Sequence, residues 1–166
     1  MKAYKNLIFE TVTKEDVTEL TTIMKQAFDA DSRMHLGKAG GPPGYDNGEF
    51  IRRNAFAPEA TAYKIIRENK AIGMIILWID PKTNVNFLGT IFIDKNLENK
   101  GIGKDVWEFV EREYPDTVIW RTETPVFSHR IHSFYINKLG FHVVAVKNPK
   151  EWRNGEGQFL LEKKMK

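Results

Sequence analysis

The chain has 166 residues, 42% of them hydrophobic, enough for one globular domain over 1–166 with a sizeable core. Its formal charge of +3, spread along the chain, suits a small anionic ligand and argues against nucleic acid, while the lack of cysteine excludes disulfides and Cys-rich metal sites. Neither a membrane span nor a secretory leader is expected, because the longest apolar run is short and residues 1–10 carry two lysines, so the expected location is the cytoplasm.

Residues 7–12 read as a short apolar strand, after which Thr13 and Asp16 form an acidic variant of the capping box that starts a helix. Val17, Leu20, Met24, Ala27 and Phe28 share one face of that helix. Residues 30–47 then lose regularity, with Gly37, Gly40, Gly41, Pro42, Pro43 and Gly44; a loop of this length is either a disordered surface segment or a lid over a site. A weaker helix covers 49–57 and ends before Pro58. From residue 60 the period changes. Stretches 62–68, 71–80 and 85–93 are β-rich and separated by turn residues, which reads as an antiparallel meander. Ile102, Val106, Phe109 and Val110 put a helical stripe against that sheet, 117–122 is the next strand, and 128–139 is a short helix ending at Gly140. Two last strands, 141–146 and 159–163, are joined by a polar turn around Asn154 and Gly155. The sum is an α/β (α+β) fold, a central, mostly antiparallel mixed sheet of about seven strands flanked by about four helices.

The chemistry concentrates between 88 and 107. An apolar strand runs over 88–93, a polar turn over 94–99, and Lys100-Gly101-Ile102-Gly103-Lys104 opens an amphipathic helix. Glycines allow close approach of the backbone, and the helix behind them offers unpaired N–H groups and the positive end of its dipole. Lys100 and Lys104 add charge, so the pattern suits a phosphate or pyrophosphate. A Walker loop fails because Glu98 and Asp105 stand where glycine and Ser or Thr belong, and a dinucleotide fingerprint fails at Val106. The plain alternative is a strand-to-helix turn whose glycines serve packing alone.

The order of elements, with two motifs, resembles the GCN5-related N-acetyltransferase (GNAT) superfamily over nearly the whole chain. Asn99-Lys100-Gly101-Ile102-Gly103 resembles the family's pyrophosphate loop for acetyl-CoA, and Phe134-Tyr135-Ile136-Asn137-Lys138-Leu139-Gly140-Phe141 resembles its Phe-Tyr…Lys-Leu-Gly-Phe helix and strand. Two departures stand out. Glu98 occupies a position where the family usually has Gln or Arg, and the tyrosine motif is one residue longer than usual. Counting back from Gly140 puts Ile136 at the tyrosine position, whereas counting forward from Thr124-Pro125 puts Tyr135 there; a π-bulge would absorb the extra residue, and Tyr135 is preferred.

The resemblance implies an acetyl-CoA-dependent N-acetyltransferase acting on a primary amine of a small molecule or peptide, without a metal. It implies that the backbones of Ile91, Phe92 and Ile93 pair with the pantetheine arm, that Asn99, Lys100, Gly101, Ile102, Gly103 and Lys104 hold the pyrophosphate, and that Lys100 or Arg130 reaches outer phosphates. Tyr135 has the chemistry of a general acid, since a phenol is protonated at neutral pH, although an ordinary half-buried aromatic is the alternative. Glu123 is a candidate base or a solvated strand-end carboxylate, Asp94 is a weaker candidate, and His129 and His132 read as surface or cap residues. The 30–47 loop would line the acceptor pocket, where Asp31, Tyr45 and Asp46 suit a cationic amine if they are not simply solvated. A homodimer is compatible with the chain; nucleic acid and membrane partners are not expected. The competing reading is a catalytically idle acyl-CoA sensor or partner-binding domain, supported by Ile136 in one register and by Glu98; turnover separates the two.

Overall fold

The computed structural model describes residues 1–154 and 157–165. Strands β1 (Lys2–Tyr4), β2 (Leu7–Thr11), β3 (Ala60–Arg67), β4 (Lys70–Trp78), β5 (Val85–Ile93), β6 (Ile119–Pro125), β7 (His142–Lys147) and β8 (Gln158–Lys164) form one sheet. Their order is β1-β2-β3-β4-β5-β6-β8-β7. All neighbours are antiparallel except β5 and β6, which are parallel because the chain crosses between them through helix α3 (Ile102–Glu113). Helices α1 (Val17–Leu36) and α2 (Glu49–Ala55) cover one face. The other face carries α3 and the short α4 (His129–His132), continued by a π-helical stretch, Ser133–Lys138.

The mixed α/β sheet expected from the sequence is therefore present, with one strand more than anticipated. β1 is three residues long and has no apolar alternation; it pairs with β2 across a turn at Lys5, whose φ is 53°. β4 is apolar almost throughout because both its faces are covered. Met74 and Ile76 pack under α1 and α2, while Ile75 and Leu77 pack under α3. On the α3 side Phe9 stacks on Phe109 with ring centroids 3.7 Å apart, and Trp107 meets Trp120 edge to face.

Thr13 and Asp16 form the expected start of α1: the Asp16 carboxylate accepts from the Thr13 amide at 2.8 Å. The other end departs from expectation. The helix does not stop before residue 30 but runs to Leu36 and ends at Gly37, whose φ of 75° and amide bond to Arg33 O make a left-handed cap. The glycines and prolines of 37–44 made this stretch read as loop, and Asp29, Asp31, Ser32 and His35 before them are weak helix formers. They are held in the helix by tertiary partners. Asp29 is buried, accepting from Lys25 Nζ at 2.5 Å and Tyr45 Oη at 2.6 Å, and Asp31 accepts from Ser128 Oγ at 2.9 Å. The irregular connection is thereby shortened to 37–48.

Gly140 has φ of 87° and ends the 128–139 segment as expected, and the turn residue Gly155 lies outside the described residues. Asn154 closes a 3₁₀ segment, Pro149–Asn154.

Burial opposes the charge on Asp29, but the bonds from Lys25 and Tyr45 outweigh it and hold the carboxyl below its ordinary 3.8. A depressed carboxyl contributes stability above its unfolded pKa, and that contribution is lost as pH falls through the folded value. Tyr45→Phe should therefore destabilise the protein by about 1.5 kcal/mol at pH 7. The difference should shrink toward zero near pH 2, as urea unfolding at the two pH values will read; an equal loss at both would remove Asp29 as the partner.

Candidate active site

β5 and β6 stay paired only from Val85 with Ile119 to Leu88 with Thr122. Beyond that point they part. The separation begins where Gly89 is inserted as an extra residue between Leu88, paired with Leu77, and Thr90, paired with Ile76. Such a bulge bends and twists its strand, here away from β6. Thr122 Oγ1 closes the end of the seam by donating to Leu88 O at 2.9 Å.

The parting of the strands frees backbone groups. Asp94 N donates to Ile72 O at 2.7 Å, continuing the β4·β5 register. By the alternation of an antiparallel ladder, Phe92 and Thr90 also bond β4, whereas the N–H and C=O groups of Ile91 and Ile93 point toward the side that β6 has left. Phe92 is thus committed to the sheet. Of the three residues expected to pair with a ligand through their backbone, Ile91 and Ile93 have those groups turned to the open side and Phe92 does not.

A cleft of about 290 Å³ opens there, lined by Ile91 and Ile93, by residues 97–99 and 101–104, by Ala27, Phe28 and Asp31 of α1, and by Arg130, Phe134 and Tyr135. After β5 the chain makes a turn in which the Asp94 carboxylate accepts from Asn96 N at 2.9 Å, which occupies that candidate base with capping. Asn99 has φ of 61° and Gly101 has φ of 76°, both left-handed. Gly101 is the N-cap of α3, and the first helical amide to find a partner is that of Asp105, bonded to Gly101 O at 3.1 Å. A glycine cap has no side chain for the amides of Ile102, Gly103 and Lys104, which leaves them facing the cleft end of the helix. A Cβ on Gly101 would meet nothing within 4 Å, so the space before this turn is open to a guest. Gly103 serves another purpose, because a Cβ there would lie 2.9 Å from the Phe134 ring. Lys104 is exposed at the lip, and Lys100 is exposed in the turn before α3.

Arg130 reaches the same cleft from α4. It is ion-paired with Glu98, and its guanidinium stands 3.6 Å from Asp31 Oδ1. The acidic departure at 98 is thereby neutralised within the fold. Ser128, fully buried and read from the sequence only as a helix start, anchors Asp31 beside that pair.

The extra residue of the tyrosine motif is taken up as a π-helical turn over Ser133–Lys138, with Leu139 N bonded to Phe134 O at 3.1 Å. In this arrangement Tyr135 lines the cleft and Ile136 is not among its lining residues. Burial pushes the Tyr135 phenol well above its ordinary value, against a smaller opposing effect of a hydrogen bond with Thr122. His132 bonds Pro125 O through Nε2 at 2.9 Å, and burial lowers its pKa. Among the described residues no group of three or more His, Cys, Asp or Glu could hold a metal ion.

A model of the Acetyltransferase (GNAT) family matches residues 21–141, which include the splayed strands, the glycine turn and the tyrosine segment. The chain belongs to the GNAT acetyltransferase family. It is 34% identical over 155 residues to the uncharacterized protein YrkN of Bacillus subtilis (strain 168), covering 90% of this chain and 83% of that one. In fold this GNAT chain is similar to the PaiA N-acetyltransferase of Thermoplasma acidophilum in complex with coenzyme A, at TM-score 0.75 and 17% identity, covering 96% of this chain and 99% of that one. It is also similar to the ribosomal-protein-S18-alanine N-acetyltransferase of Escherichia coli, at TM-score 0.71 and 13% identity over 96% and 94% of the two chains.

The remaining expected residues of the acetyltransferase fall in three places. Asp31 stands in α1, buried beside the Arg130 cluster, and not in an acceptor loop. Tyr45 is bonded to Asp29, and its phenol is pushed up to about 12, first by that bond and then by burial. Asp46 is exposed. Glu123 follows Thr122 on β6, past the last residue paired with β5; its side chain is turned away from α3, exposed and ion-paired with Lys147. Among the described residues no helix is long and apolar enough to cross a membrane.

Proposed function

We propose that this acetyltransferase moves the acetyl group of acetyl-CoA to a primary amine of a small molecule or peptide, by direct attack in a ternary complex. The observation that carries the reading is the parting of β5 from β6 after Leu88 and Thr122, which turns the free backbone of Ile91 and Ile93 into a cleft ending at the unpaired amides of α3. The residues present fit such a donor. Ile102, Gly103 and Lys104 offer amides to a pyrophosphate, with Asn99 and Gly101 shaping the turn, and Lys100 and Arg130 supply cationic side chains. Acetyl-CoA supplies a thioester carbonyl and a thiol leaving group.

The Ile91 and Ile93 backbones align the arm of the donor, and one of their amides polarises the carbonyl. Glu123 takes one proton from the ammonium and passes it to solvent, leaving a neutral amine. As the carbon–nitrogen bond forms and the carbon–sulfur bond breaks, Tyr135 gives its proton to sulfur, and the second proton lost from nitrogen restores the balance. The phenol is protonated at neutral pH, as the acid role requires, while burial holds it a weaker acid than a free phenol.

The test is thiol release with Tyr135→Phe. The expected result is a fall in kcat of about a hundredfold, with acetyl-CoA affinity within twofold of wild type. Wild-type turnover in the variant would sink the acid assignment. Binding of acetyl-CoA without turnover on any amine would favour the idle sensor.

A further inference from the structure

On the face of the sheet opposite α3 lies a second hollow of about 210 Å³, lined by Phe50 and Asn54 of α2 and by Ile76, Trp78, Phe87, Gly89 and Thr90 of β4 and β5. Three of its seven lining residues are aromatic and none carries a charge. It sits at the bulge, where β5 begins to leave β6. Gly89 is required there, since a Cβ would lie 2.7 Å from Trp78 Nε1 and 3.3 Å from Ile76 O. Asn54 donates through Nδ2 to Phe50 O at 2.8 Å, which orients its amide and leaves the oxygen, with the Thr90 hydroxyl, as the side-chain acceptors of a mostly apolar wall.

Glu123 shares this face. Phe87 pairs with Arg121 and Leu88 with Thr122, so Glu123 follows at the level of Gly89. Arg121 is occupied by Glu162 at 2.5 Å. The chain thus places an uncharged, largely aromatic hollow at the strand level of Glu123, whose carboxylate is ion-paired with Lys147, and at the gap between the strands. The carboxylates expected to suit a cationic amine do not line the hollow: Asp31 is buried and bonded to Ser128, and Asp46 is exposed.

We propose that the acceptor is an arylalkylamine, a primary amine joined to an aromatic ring by a short alkyl spacer. The ring seats between Phe50, Trp78 and Phe87, and the amine reaches toward Glu123 and the gap. This assignment rests on the acetyl transfer proposed above and adds the acceptor class. An apolar cavity of roughly 150 Å³ accepts a benzene-sized ring, and edge or face contacts with three aromatic walls favour an aryl group over an alkyl chain of equal charge. No carboxylate lines the hollow to pair with a second ammonium, whose desolvation would be offset only by the ring faces, the Asn54 oxygen and the Thr90 hydroxyl, which disfavours a diamine or polyamine.

The experiment compares kcat/KM for phenethylamine, tryptamine, n-butylamine and spermidine by thiol release, with calorimetric titration of acetyl-CoA alongside. The expected result is at least a tenfold preference for the aryl amines over the other two. Phe87→Leu should raise the KM for phenethylamine about tenfold with unchanged kcat, acetyl-CoA affinity and Tm, and Phe87→Glu should shift the preference toward spermidine. Equal or better turnover of butylamine or spermidine by the wild type would overturn the aryl assignment while leaving acetyl transfer to an amine standing. Binding of acetyl-CoA with no turnover of any of the four amines would overturn it too. Absence of acetyl-CoA binding would remove the parent reading itself, an outcome distinct from both.

Discussion

Gly101→Val should weaken acetyl-CoA binding on the order of a hundredfold, the largest effect on binding expected from the cleft. The residue has φ of 76°, a region that a β-branched side chain tolerates least. Holding a non-glycine residue there costs about 1–3 kcal/mol, and relaxing it rotates the amides that open α3. No part of the chain lies within 4 Å of the position of an added Cβ, so the loss does not come from a clash inside the fold. Gly101→Asn separates strain from obstruction, because asparagine adopts left-handed backbone readily. If strain dominates, the asparagine variant should recover most of the affinity and melt near wild type. If the side chain obstructs the guest, it should melt near wild type and still bind weakly. Calorimetry and thermal melts on the two variants read both quantities, and unchanged affinity in the valine variant would return Gly101 to the role of a turn residue.

Arg130→Met should raise the Kd for acetyl-CoA by more than tenfold. The guanidinium is the counter-charge of Glu98 and stands 3.6 Å from Asp31 Oδ1. Its removal leaves two carboxylates at the cleft without their shared cation and removes a donor suited to phosphate oxygens. Glu98→Gln alone should tighten binding severalfold, since it frees the arginine and takes one negative charge from the site. In the double variant the penalty should be clearly smaller than in Arg130→Met, and a double-mutant cycle gives the coupling directly. Additive effects of the two changes would mean that the pair seen in the fold has no bearing on the anion.

How much of this was legible beforehand depended on whether a signal was local. The left-handed turn at Gly101, the buried run of β4 and the one-residue excess in the tyrosine motif are local, and each was readable from spacing: the excess became the π-helical turn that brings Tyr135 to the cleft. The end of α1 was not readable, because Asp29 and Asp31 are stabilised by Tyr45, 16 residues away, and by Ser128, 97 residues away. Propensity pointed one way and tertiary bonds the other. Glu98 likewise looked adverse in isolation; its counter-ion is supplied by a residue 32 positions later. Gly103 was taken as a ligand-facing glycine; it lines the cleft, and its missing Cβ also makes room for Phe134, which spacing did not reveal. The mostly apolar hollow at the bulge could not be anticipated at all, since Phe50, Trp78 and Phe87 come from three separate elements that look like ordinary core segments.

The short parallel seam has a mechanical consequence. Among the described residues it is the one ladder joining the half-sheet β1–β5 to the half-sheet β6-β8-β7, and it is four residue pairs long. The molecule is built like a book whose two covers share a short spine. A ligand lying in the open part of that spine touches both covers, so it acts as a stitch as well as a reagent. Its contribution to cohesion grows as the logarithm of its concentration over Kd. Amide exchange at the seam, between Val85 and Leu88 and between Ile119 and Thr122, should slow with occupancy more than exchange in the outer strands.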